Sequence, residues 1–151
     1  MIKEIDITKE NLSIFFDNLR YEDYLELANI YVVNLKENFI SSVLSQKEVY
    51  FLADDSNYPL VIGGLSSETA KKARVWLLFA KGFEKHRYEI FRYIKKKLVN
   101  YKRKYELLYN YVFESNFGIL NWLKKQKFIL VDTVLSTYKL FYFKKGGKFD
   151  L

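Results

Sequence analysis

Between two stretches of strand character, Ala73–Phe79 and Glu106–Glu114, the hydrophobic residues fall at helical spacing: Tyr88, Ile90, Phe91, Ile94, Leu98, Val99 and Tyr101. Repeated steps of three and four predict one amphipathic helix over residues 83–104, with an apolar seam along one side. A helix of that length flanked by strands must lie on a sheet, because neither layer buries its apolar face alone. The other side of the helix is basic, with Arg92, Lys95, Lys96, Lys97, Lys102, Arg103 and Lys104, and no acid occurs between Glu89 and Glu106. The segment that follows, Glu-Leu-Leu-Tyr-Asn-Tyr-Val-Phe-Glu, is nearly continuous in apolar residues and predicts a strand buried on both faces.

Ile2, Ile5 and Ile7 alternate with charged residues as in a short, half-buried strand. Thr8 stands where an N-cap would, ahead of Leu12, Phe15, Phe16 and Leu19. A second helical stretch carries Tyr21, Tyr24, Leu25, Leu27 and Ala28, and Asn34-Leu35-Lys36-Glu37 resembles a capping box that opens a third helix. Val49–Ala53 and Leu60–Ile62 read as a hairpin around the turn formers Asp55–Pro59, with Gly63-Gly64 ending or bulging its second strand. Asn116–Lys125 reads as a short helix, and Phe128–Val134 and Thr137–Lys144 as closing strands joined near Ser136. The expected core holds Val49, Phe51, Val61, Trp76, Leu78, Ile94, Leu98, Leu108, Val112, Ile119, Leu123 and Phe128. The element order predicts an α/β (α+β) chain, a mixed sheet of about seven strands with helices on both faces. Residues 1–145 form one domain and 146–151 a frayed tail.

Composition excludes several functions. Zero Cys removes disulfides, thiolate metal sites and Cys nucleophiles, and one His, His86, removes a histidine zinc centre. No metal site is expected. No apolar run reaches the roughly 20 residues of a membrane span, and the N-terminus lacks a signal-peptide h-region, so the expectation is an intracellular, unsecreted domain. The net charge of +7 is uneven: residues 1–70 hold 5 Lys/Arg against 12 Asp/Glu, and residues 71–151 hold 20 against 6. Such polarity suits nucleic acid, an acidic partner or a second copy of the chain; the plainer reading is a solvated basic helix.

Leu107-Leu108-Tyr109-Asn110-Tyr111-Val112, followed by Asn116 through Lys125 and then Phe128, resembles the fifth strand, next helix and sixth strand of the GCN5-related N-acetyltransferase (GNAT) fold. Within that fold, residues 60–145 are similar to small internal virion proteins of short-tailed phages. The GNAT resemblance implies three features that bear on acetyl transfer. Acetyl-CoA is held in that family by a glycine-rich turn at the start of the long helix, where backbone N–H groups meet the pyrophosphate. Here the segment is Lys81-Gly82-Phe83-Glu84-Lys85-His86-Arg87-Tyr88, with one early glycine; Lys85 and Arg87 offer partial compensation. The Tyr that often serves as general acid falls at Leu123, which has no proton to give. The strand Val75–Phe79 offers no carboxylate as base, and Glu114 is the nearest substitute.

Several residues keep two readings. Asn110, an amide within an apolar strand, lines a cleft between splayed strands or satisfies a bulge. Asn116 caps the short helix, and His86 caps or decorates the basic helix rather than acting as a base. Trp76 and Trp122 are core rather than ligand platforms. Lys85, Arg87, Asn110 and Asn116 are the cofactor-binding candidates, and no residue is assigned a catalytic role. The resemblance therefore implies a bacteriophage virion component in the capsid or at the portal vertex, serving assembly or genome ejection, without acetyltransferase activity or a cofactor. Its partners would be other virion proteins or a second copy, with DNA as a further class, and its places the virion and the host cytoplasm. The surface would be the basic helix from Arg92 to Lys104. Two alternatives stand beside it: an active acetyl-CoA-dependent N-acetyltransferase and a nucleic-acid-binding accessory protein.

Overall fold

A computed structural model of the chain describes residues 1–113, 116–133 and 137–146, with only the backbone of Phe117. In order, the elements are β1 (Lys3–Glu4), α1 (Lys9–Asp17), α2 (Tyr21–Ile30), α3 (Leu35–Ser45), β2 (Glu48–Ala53), β3 (Pro59–Ser67) and β4 (Lys72–Phe79). A 3-10 turn (Phe83–His86) leads into α4 (Arg87–Lys104), followed by β5 (Leu107–Phe113), α5 (Phe117–Lys125), β6 (Ile129–Asp132) and β7 (Tyr138–Lys144). Seven strands form one mixed sheet in the order β1-β2-β3-β4-β5-β7-β6, as the element order predicts. The β4–β5 pair is parallel, and β1–β2, β2–β3, β5–β7 and β6–β7 are antiparallel. Glu114, the join near Ser136 and the tail past Gly146 lie outside the described residues.

The contacts gather in two compact units, residues 1–65 with 76–93 and residues 66–75 with 94–151. In the first, Thr8 caps α1 as expected, its hydroxyl accepting the N–H of Asn11 at 3.1 Å. Asn34 does not cap α3: it sits at φ 51°, and its side chain makes no cap bond. A capping side chain needs extended backbone to reach back to the first-turn amides, and the left-handed conformation turns it away. The core brings Leu12, Phe15, Leu19 and Leu27 together with Phe39, Val43, Phe51, Ile62 and Leu78, with Val49 and Trp76 partly buried against it. The Trp76 indole N–H donates to Gln46 Oε1 at 2.8 Å.

Gly63 and Gly64 neither end β3 nor bulge it; the strand runs through them to Ser67, paired to Tyr50 and Val49. Their cause lies across the ladder. A Cβ on Gly63 would fall 2.3 Å from Tyr50 Oη, and one on Gly64 would fall 2.1 Å from the Glu48 carbonyl oxygen. The irregularity in this hairpin is instead between Leu52 and Ala53.

In the second unit β5 pairs along its whole length with β7, from Leu107–Lys144 to Phe113–Tyr138. Leu108 and Val112 are buried while Tyr111 is 45% exposed, so β5 is covered on one face rather than two. The aromatic residues Tyr109 and Tyr111 alternate with the buried ones; a run that reads as continuously apolar contains phenol rings able to face water. Leu120, Leu123 and Phe128 are buried, and Phe128 meets Phe141 edge to face at 5.4 Å. Ile119 is half-buried.

Candidate functional site

In the first unit, β4 leads into α4 through a turn whose backbone is largely committed. Ala80 N–H donates to Leu60 O, and Lys81 N–H to Asn18 O at 2.8 Å. Gly82 then takes φ 89° with open space around it, the left-handed conformation that only glycine adopts without strain. Phe83 is buried, its ring 4.3 Å from that of Phe79. The Lys85 N–H donates to Gly82 O and the Arg87 N–H to Glu84 O. These two amides, where a phosphate-binding turn would present its donors, are therefore used inside the turn. Their side chains are exposed, so at Lys85 and Arg87 the turn offers anions cationic side chains. His86 Nδ1 lies 3.8 Å from Glu89 Oε1, and Glu89 Oε2 accepts the N–H of Ile2.

The backbone at the end of β4 is also occupied. Arg20 N–H donates to Phe79 O at 2.9 Å, Leu19 bridges to Ala80, and Phe79 N–H donates to Asp23 Oδ2 at 3.0 Å. Asp23 is 1% exposed and also accepts from Arg20 Nε and Nη2 at 3.0 and 3.3 Å. Burial pushes its carboxyl up to about 6, against the pull of the Arg20 guanidinium and the Phe79 N–H. Arg20 in turn lies over the rings of Phe79 and Phe83. Sequence reasoning missed this pair. Its only signals are the three-residue step from Arg20 to Asp23 and the four-residue step from Asp23 to buried Leu27.

In the second unit the parallel ladder registers Lys72–Leu107, Ala73–Leu108 and Arg74–Tyr109. Asn110 follows immediately. Its Nδ2 donates to Val75 O at 2.9 Å, and its Oδ1 accepts the N–H of Tyr111 at 2.8 Å. The amide side chain thus takes the place of the next rung. Asn116 stands at the N-cap position of α5, buried, and its backbone carbonyl accepts from Leu120; its side chain makes no cap bond. Leu123 is buried core.

The basic helix divides. Arg92, Lys95, Lys96, Arg103 and Lys104 are exposed and Lys97 is half-buried. Lys102 is half-buried against its unit: Nζ donates to the carbonyl of Gln126, just past α5, and lies over the rings of Phe128 and Phe143. Burial, with Lys127 nearby, lowers its pKa. Among the described residues no cluster of His, Asp and Glu could hold a metal ion, and no helix is long and apolar enough to cross a membrane.

Solved structures similar to the chain cover nearly the whole of it. The PaiA N-acetyltransferase of Thermoplasma acidophilum, in complex with coenzyme A, is 17% identical with a TM-score of 0.62, over 96% of this chain and 99% of that one. The Campylobacter jejuni N-acetyltransferase PseH with acetyl coenzyme A is 18% identical with a TM-score of 0.56, over 97% and 100%. An acetyltransferase from Thermus thermophilus is 13% identical with a TM-score of 0.65, over 96% and 97%. The fold is that of the GNAT N-acetyltransferases. No protein-family model and no curated protein matches the chain. The expected phage virion role is corrected by these likenesses: the three structures named here are acetyltransferases, and nothing in the likenesses supports bacteriophage, virion or podovirus. The expectation that the chain uses no cofactor loses its support with the role it came from.

Proposed function

We propose that the chain is an acyl-CoA-dependent N-acyltransferase, which moves an acyl group from a thioester to a primary amine. The observation that carries this reading is the three-rung parallel ladder ended by Asn110, set in a GNAT fold whose solved likenesses include complexes with coenzyme A and acetyl coenzyme A. The residues present fit the anionic end of such a ligand by charge. Lys85 and Arg87, exposed beside the left-handed Gly82 and at the start of the 18-residue α4, would hold its phosphates, helped by the positive end of the helix dipole. When bound, the thioester supplies an activated acyl carbon. Leu123 holds no proton to donate, so it takes no part in protonating the departing thiolate; binding and orientation by themselves can supply several kcal/mol of barrier lowering.

Calorimetric titration with acetyl-CoA, paired with a thiol-release assay over a panel of primary amines, tests the reading. The expected result is saturable binding near the micromolar range, about −8 kcal/mol, with thiol release that depends on the amine. Replacing Lys85 and Arg87 by Ala should weaken binding without altering the unfolding midpoint. No heat at millimolar acetyl-CoA and no thiol release with any amine would overturn it.

A further inference from the structure

Helix α2 buries one narrow stripe, Asp23 and Leu27, and turns a second apolar stripe to water. Tyr21 is 67% exposed, and Tyr24 and Leu25 stand beside it at helical spacing; Val32, just past the helix, is 89% exposed. An exposed apolar group of this size on one short segment marks a docking surface. The same segment has no Lys or Arg from Tyr21 through Leu35, while it carries the partly exposed Glu22 and Glu26, Glu22 paired to Arg20 at 3.3 Å. The surface is therefore apolar with an acidic surround, and it calls for a partner that is apolar and basic.

The chain itself carries such a surface. On α4 the exposed residues Tyr88, Arg92, Lys96, Val99 and Arg103 follow one another at steps of four, four, three and four, a single stripe along the helix. Two apolar positions, Tyr88 and Val99, are interleaved with cations, and Arg92 lies over the Tyr88 ring at 4.8 Å. We infer that α2 of one copy docks on the outward stripe of α4 of a second copy, a heterologous contact between an acidic apolar helix and a basic apolar helix. Burial of Tyr21, Leu25 and Val99 would drive association, and the opposite charges would set partner and register. The inference does not depend on acyl transfer and uses neither Lys85 nor Arg87.

Light scattering and sedimentation of the full chain from about 5 to 500 μM test it. The wild-type mass should rise with concentration, and less so at 0.5 M salt than at 0.05 M. Two variants, Tyr21→Lys/Leu25→Lys on α2 and Lys96→Glu/Arg103→Glu on α4, should each remain monomeric with wild-type circular dichroism. Mixed in equal amounts they should recover a 1:1 pair, since each retains the face that the other lacks. A wild type that stays monomeric throughout, a variant that associates as wild type does, or a mixture that fails to pair would each overturn the inference. So would monomeric wild type held by duplex DNA through α4, which would put a nucleic acid in the second copy's place.

Discussion

The carboxylate of Asp23, in the first turn of α2, accepts the backbone N–H of Phe79, the last residue of β4, at 3.0 Å. A buried acid at that junction makes the fold sensitive to pH in an unusual sense. Its folded pKa of about 6 lies above the ordinary 3.8, so the folded chain binds the proton more tightly than the unfolded chain. The contribution of Asp23 is thus fully present below about pH 4 and is lost as pH rises to about 6, at most roughly 3 kcal/mol. Urea unfolding of wild type and Asp23→Asn at pH 4, 5, 6 and 7 should show wild type losing stability relative to the variant across that window and levelling above it. A difference that stays flat would show that the carboxyl carries no such burial penalty.

The two adjacent glycines of β3 should respond differently to a methyl group. Gly64→Ala drives its Cβ into the Glu48 carbonyl, which belongs to the paired backbone, whereas Gly63→Ala meets the Tyr50 ring. Both should cost about 1–3 kcal/mol, Gly64→Ala the more. Placing Gly63→Ala in a Tyr50→Ala background should recover most of its loss in denaturant titration. Gly64→Ala should recover nothing there.

Lys102 and Lys96 lie in the same basic run but should separate cleanly. Lys102→Ala removes the bond to the Gln126 carbonyl and the contact with two rings, and should lower stability by about 1–2 kcal/mol. Exposed Lys96→Ala should stay within about 0.5 kcal/mol. Equal values from unfolding curves would mean that Lys102 is as solvated as its neighbours.

Asn110→Leu leaves Val75 O and the Tyr111 N–H without the side chain that serves both. The expected loss is about 2–4 kcal/mol, with faster hydrogen exchange at Tyr111. Asn110→Asp should also destabilise, because a carboxylate faces the Val75 carbonyl. If neither variant moves the denaturation midpoint, Asn110 does not hold the end of the ladder.

Much of this architecture is legible in the order of residues, because periodicity reports which side of an element is buried. The long helix, seven strands and the Thr8 cap all follow from spacing. What escaped depends on facts that spacing does not carry. Asp23 stands between Glu22 and Glu26 in an acidic helix and reads as solvated. Asn34 has a capping residue's identity but not its backbone conformation. The reason for Gly63 and Gly64 is the register with Tyr50 and Glu48, 13 and 16 positions earlier. Lys102 sits four residues past buried Leu98, a phase signal drowned by six other cations. The functional reading turned on counting glycines in one turn, as though backbone amides were the sole means of holding a phosphate; Lys85 and Arg87 are another.

Neither compact unit is continuous along the chain: the first takes residues 1–65 and then 76–93, and the second takes 66–75 and then 94–151. During synthesis this creates an interval of exposure. When Leu65 leaves the ribosome, β3 is complete through its buried stretch Leu60–Leu65, yet the part of β4 that belongs to its unit is still inside the exit tunnel. At about 5–20 residues per second that edge waits roughly a second or more for Trp76–Phe79, and longer for the first half of α4. An apolar strand with an open edge is a template for pairing with other chains. Expression yield should therefore depend on how quickly residues 66–93 emerge, and slow codons downstream of them would prolong the wait without changing a single side chain.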